Sequence, residues 1–260
     1  MTLLYAVVLA VVAEVLLALG PDVQSDVVRK VSTNLHNLGE GRIETLIGSA
    51  FVNADGPIYL WLPGFMAVLA LGELLWQGRR MVAVFVIGHL GATLIVAAGL
   101  AAALGAGVLS SSVADAADVG MSYGAVGVLG TFTAALPPRW RPIWAGWWLA
   151  VAAGSAALSG GDFTNAGHAV ALVIGMVVGT RLGRPAPWTR ARWALLGIAV
   201  GFGYVVVGYN ELSIPATAAF GMLGALTAGV GWPRRRTISV AAWTGLRWRD
   251  VPVYSGQPSG

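Results

Sequence analysis

An all-helical protein that crosses a membrane several times is the fold class this sequence predicts, on three observations. Of its 260 residues, 57% are hydrophobic and only 11% are charged, and the mean hydropathy is +0.73. A soluble domain carries about 25% charged residues, so this chain has too few polar groups to coat a surface facing water, and lipid must be its solvent. The second observation is a series of apolar runs of membrane-spanning length, separated by polar breaks. The third is the charge of those breaks. The ones at 78–80, 137–142, 181–192 and 232–249 carry Arg, whereas those at 105–119, 159–164 and 210–212 carry no Lys or Arg. Inside a bilayer each segment must pair its own backbone groups, which favours helices.

The first span is predicted over 2–20. No basic residue precedes Leu3, so it reads as a retained helix and not a secretory signal. Glu14 lies within it. An intramembrane carboxylate is either satisfied near the interface or marks a functional group, and the residues leave both readings open. Residues 21–57 are the most polar stretch, with Asp22, Asp26, Arg29, Lys30, His36, Glu40, Arg42 and Glu44. They predict a long loop with short interfacial helices, one of them over Arg42–Val52. The second span runs over 58–77, started or kinked by Pro63-Gly64, and the third over 81–104 with His89 near its middle. The fourth, over 120–136, is followed by the stiff basic turn Pro137-Pro138-Arg139-Trp140-Arg141-Pro142. The fifth and sixth run over 143–158 and 165–182, and two more apolar runs follow at 191–209 and 213–231.

These runs divide into a transmembrane core over 1–183, two additional helices over 184–231 and a basic, partly disordered tail over 232–260. Basic loops stay in the cytoplasm. Eight spans in a cell membrane with both termini cytoplasmic satisfy that bias at every short loop. Loop 21–57 lies outside, its bases balanced by its acids.

Several functions fall away. With no Cys there are no disulfides, no cysteine-ligated zinc and no cysteine nucleophile. The net charge of +4 and pI of 9.8 belong to cytoplasmic loops, since no nucleic-acid recognition module is visible. His36, His89 and His168 are too scattered to suggest a metal site, and no cofactor motif is present. The two similar halves of a transporter are also missing from the sequence.

What remains is a serine and a histidine. Ser122 stands between Gly120 and Gly124 at the head of the fourth span, and His168 stands near the start of the sixth. Both spans enter from the outer face, which puts the two side chains at similar depth at 1.5 Å per residue. Gly120, Gly124, Gly127, Ala171 and Gly175 are the small residues expected to let the two helices approach closely. Ser122 has a plainer reading as a serine that caps its own helix. Asp118 reads as a solvated loop acid, and Asp162 and Asn165 as the start and cap of the sixth span.

At these residues the chain resembles the rhomboid family of intramembrane serine proteases. Gly120-Met121-Ser122 is similar to the family's G-x-S motif, with Gly127 and Gly130 where further family glycines fall. His168, Ala171 and Gly175 resemble the histidine run of the family's sixth span. Arg42, Thr45 and Phe51 resemble the R-x-x-T…F run of its long first loop, and Gly72-Glu73 the inner end of its second span. The sequence departs from the pattern at Tyr123, where the family has Gly, and at Val126, where it has an aromatic residue. The second span lacks the family's H-x-x-x-N pair. The resemblance implies a six-span core followed by two C-terminal spans. It also implies a Ser122–His168 dyad that hydrolyses transmembrane proteins near the outer leaflet, with Asn53 and Tyr59 as the side chains nearest to oxyanion donors. The alternative it implies is a pseudoprotease that binds transmembrane substrates or clients without cutting them.

Overall fold

The computed structural model describes residues 1–53, 58–159, 162–208 and 214–231. The predicted tail over 232–260 and the break at 210–212 lie outside the described residues. Among the described residues all regular structure is helical. The long helices are α1 (Thr2–Leu19), α5 (Ile58–Trp76), α6 (Gly78–Gly105), α7 (Ser122–Ala135), α8 (Arg141–Leu158), α9 (Phe163–Gly179), α10 (Arg190–Gly208) and α11 (Ile214–Gly231). The long loop after α1 carries three short helices: α2 (Pro21–Val31), α3 (Leu35–Gly39) and α4 (Thr45–Gly48). Arg42 and Glu44 precede α4, and Ser49–Phe51 continue it as a 3₁₀ turn. The segment expected as one surface helix over Arg42–Val52 is therefore broken, and it turns Thr45, Ser49 and Ala50 inward.

α1, α5, α6, α10 and α11 are each long and apolar enough to cross a membrane. α7 and α9 are shorter, with 14 and 17 residues. At 1.5 Å per residue they reach about 21 and 25 Å, less than a hydrocarbon core of about 30 Å. α7 manages this because protein, not lipid, surrounds it. Every residue from Tyr123 to Phe132 is buried. α1, by contrast, leaves Leu3, Leu4, Val7, Val11 and Leu17 exposed, as a lipid-facing helix should.

α7 forms the centre of the bundle. Small residues on it and its neighbours allow backbone-to-backbone contact. A Cβ on Gly175 would fall onto the Gly127 carbonyl, and one on Gly130 onto the Leu172 carbonyl. α7 also meets α6, where a Cβ on Gly88 would stand 3.1 Å from Gly127 Cα. Toward α5, a Cβ on Gly72 would stand 2.6 Å from Val128 Cγ1. Trp76 Nε1 also donates to Thr131 Oγ1 at 3.1 Å. In an apolar medium such contacts hold helices together, because no hydrophobic force drives them. At the basic end, α1 is capped by another helix. Glu73 Oε2 accepts from the Thr2 backbone N–H at 2.9 Å and from its hydroxyl at 2.8 Å.

The last two helices take different partners. α10 lies against α5, where Phe202 packs over Gly64 and edge-on to Trp61 and Phe65. α11 lies against α8, where a Cβ on Gly224 would strike the Gly146 carbonyl.

Candidate functional site

Ser122 is the first residue of α7 and is half-buried, while His168 is buried in the second turn of α9. Two features set where they sit. The first is a left-handed turn. Gly120 has φ +126°, a value that favours glycine, and it steers the chain into α7. Gly120 is thus a turn residue and not part of the helix-packing face. The second is the α9 N-terminus, where Asp162 Oδ1 accepts from the Thr164 backbone N–H at 2.8 Å and caps the helix.

The turn before Ser122 is held by the long loop. The Gly120 N–H donates to the Ser49 carbonyl at 2.8 Å, and the Thr33 N–H to the Asp118 carbonyl at 2.9 Å. The Asp118 N–H donates to Ser32 Oγ at 2.8 Å. The loop itself is tied by Arg42, whose guanidinium donates to Asn37 Oδ1 at 2.8 Å and to the Lys30 carbonyl at 2.6 Å. Thr45 Oγ1 donates to the Arg42 carbonyl at 2.7 Å, and Phe51 packs edge-on to Tyr5 of α1. The run Arg42, Thr45, Phe51 therefore ties the loop together.

Beneath the loop runs a buried polar chain that the sequence did not suggest. Thr33 Oγ1 donates to the Thr45 carbonyl at 2.8 Å and lies 2.9 Å from Ser49 Oγ, which lies 3.3 Å from His89 Nε2. A hydroxyl has one proton. Thr33 Oγ1 has both the Thr45 carbonyl and Ser49 Oγ within donor reach, and the direction of the Ser49–His89 bond follows the imidazole tautomer. His89 is thus a buried anchor for the loop. A signal was available in retrospect, as a mid-span histidine needs a partner, but that partner is 40 residues away in sequence.

The contact between the serine and histidine helices is close, but the two side chains are not bonded. Neither ring nitrogen of His168 has a hydrogen-bond partner, so Ser122 Oγ is not one. Tyr123 takes the adjoining space. Its ring meets His168 edge-on with centroids 5.3 Å apart, and a Cβ on Gly167 would fall into its phenol. The Tyr123 hydroxyl is buried without a hydrogen-bond partner. It lies near enough to Asp118 to favour that carboxylate, without the geometry of a hydrogen bond. Gly124 faces Phe85 of α6 and not α9, so the small residues that join α7 to α9 are Gly127, Gly130, Ala171 and Gly175, together with Gly179 against Thr131. Asn53 and Tyr59 line a different cavity, of about 400 Å³, with Glu14 and Gln24. Its lining contains neither Ser122 nor His168, and Tyr59 is exposed. Among the described residues no cluster of His, Asp and Glu has the geometry to hold a metal ion.

Asp118 is half-buried beside this site and not a solvated loop acid. Burial pushes its carboxyl up from 3.8 to about 6, and the nearby Tyr123 hydroxyl opposes the shift. The fold thus favours the neutral acid. The cost of ionising it is absent below about pH 4, where folded and unfolded states are both protonated. It grows up to about pH 6 and is complete above that. Asp118→Asn keeps the backbone bonds and removes this cost. Thermal unfolding in detergent should show the variant more stable than wild type at pH 8, by on the order of 1–3 kcal/mol. The difference should close at pH 4. An equal effect at both pH values would show that the carboxyl is not perturbed.

The architecture defines a class, a multi-pass helical membrane protein with a serine and a histidine at the heads of two backbone-packed helices. The chain belongs to the rhomboid-like family, whose model, described as "Rhomboid-like protein", matches residues 1–185. The match ends beyond α9, so α10 and α11 lie outside it. No curated protein and no solved structure matches the chain.

Proposed function

We propose that this rhomboid-like membrane protein binds transmembrane segments of other membrane proteins without an assembled catalytic dyad, as a pseudoprotease. The observation that carries this reading is Tyr123. Its phenol occupies the space beside His168, both imidazole nitrogens are unpartnered, and Ser122 has no base to take its proton. A serine is a weak nucleophile without such a base. The side chains offered as oxyanion donors, Asn53 and Tyr59, line a separate cavity, and losing one oxyanion donor costs about 100- to 1,000-fold in rate. The proposed orientation places both termini in the cytoplasm and the Ser122 end outside, after the basic loops. A cysteine placed at Ser112 should therefore react with an impermeant thiol reagent added to intact cells, and one at Arg80 should not.

A second reading has one observation in its favour. Ser122 and His168 stand at adjacent ends of α7 and α9, whose backbones touch. In that reading the protein is an intramembrane serine protease, closed at rest, that cuts transmembrane substrates near the outer leaflet. The deciding experiment is a serine-reactive fluorophosphonate probe on the purified full chain in detergent. The pseudoprotease reading expects no labelling of folded wild type and no cleavage of model transmembrane substrates. Labelling that disappears in both Ser122→Ala and His168→Ala would overturn it in favour of the protease.

A further inference from the structure

We propose that a tryptophan-lined cavity between α8, α10 and α11 binds one anionic phospholipid, with its acyl region among the indoles and its headgroup at the basic loops. The cavity has a volume of about 540 Å³, within the range of small-molecule sites. It follows from the different partners of the last two helices. Phe202 over Gly64 holds α10 against α5, and the Gly146–Gly224 contact holds α11 against α8. At one end α10 and α11 are tied, because Tyr204 Oη lies 3.0 Å from Thr217 Oγ1. Toward the other end Trp193, Leu196 and Val200 of α10 face Ala225 of α11 across open space.

Two observations specify the occupant. The walls are apolar and aromatic, with Trp140, Trp144, Trp147, Trp148 and Trp193. The mouth is basic. Trp140 is flanked by Arg139 and Arg141, and Trp193 follows Arg190 and Arg192; Arg139, Arg141 and Arg190 are exposed and Arg192 is half-buried. Neither 137–142 nor 181–192 contains an acid to neutralise them. Arginine pairs well with phosphate. The chain's own tail is a poor competitor, since 232–260 carries Arg234, Arg235, Arg236, Arg247 and Arg249 against one acid, Asp250.

The test uses the full chain in phosphatidylcholine vesicles containing graded fractions of phosphatidylglycerol with brominated acyl chains. Bromine quenches tryptophan fluorescence on contact, and five of the 11 Trp line this cavity. Quenching should saturate at a few mole per cent of brominated phosphatidylglycerol. Brominated phosphatidylcholine should need at least tenfold more for the same effect. Combining Arg139→Gln, Arg141→Gln, Arg190→Gln and Arg192→Gln should abolish that preference. Val200→Trp, which fills the cavity from α10, should remove the saturating component while leaving the arginines in place. Equal, linear quenching by both lipids would mean contact with bulk lipid only and would overturn the proposal. So would an unchanged preference in the arginine variant, or full competition by millimolar inorganic phosphate, which would make the site one for the free anion.

Discussion

Gly175→Ala should destabilise the protein more than any other single methyl added to α9. The added Cβ would fall onto the Gly127 carbonyl, with the rest of the Gly127 backbone directly behind it. A flexible side chain could turn away, but a backbone carbonyl in the second turn of a buried helix cannot. α7 has no free side to move into, because every residue from Tyr123 to Phe132 is buried and α6 also meets Gly127 through Gly88. Overpacking typically costs about 1–3 kcal/mol and occasionally more, and a backbone clash belongs at the upper end. Gly201→Ala is the matched control. Gly201 lies within α10 with nothing within 4 Å of its added Cβ, so it should gain the helix propensity of alanine, about 0.8–1 kcal/mol. Thermal unfolding of both variants in one detergent decides the matter. A Gly175→Ala protein as stable as wild type would mean that the two backbones are not in contact.

The fold class was legible because lipid imposes it. A chain with 11% charge and repeated apolar runs has few alternatives, and the glycines of α7 and α9 announced close approach. Which neighbour each glycine meets was not legible. α7 is buried on every face, so spacing along it does not separate the side that meets α9 from the side that meets α6. That is why Gly124 belongs with Phe85 and Gly130 with Leu172. The loop chemistry was hidden for another reason. Ser32, Thr33, Ser49 and His89 meet across long sequence separations, and no periodicity encodes such meetings. The serine and histidine were visible as residue types. Their lack of a hydrogen bond is a matter of side-chain placement, which the sequence does not carry.

That ring supports the second large effect. Tyr123→Ala should raise fluorophosphonate labelling of the protein at least tenfold, and the added labelling should vanish in Ser122→Ala and in His168→Ala backgrounds. The Tyr123 phenol lies over Gly167, one residue before His168, and its edge faces the imidazole. Removing it opens a space of side-chain size next to the imidazole. The unpartnered His168 nitrogens then have a route to the serine, and water can enter from the end where Asp118 and Asp162 lie. The same truncation removes a buried aromatic ring, which costs about 3–5 kcal/mol, so folding must be checked by a monodisperse elution profile. Tyr123→Phe separates the two effects. It keeps the ring and deletes only the hydroxyl, so it should leave labelling unchanged. If folded Tyr123→Ala shows no gain over Tyr123→Phe, the ring is not what keeps Ser122 and His168 apart. If Tyr123→Phe alone brings full labelling, the hydroxyl and not the ring is the block.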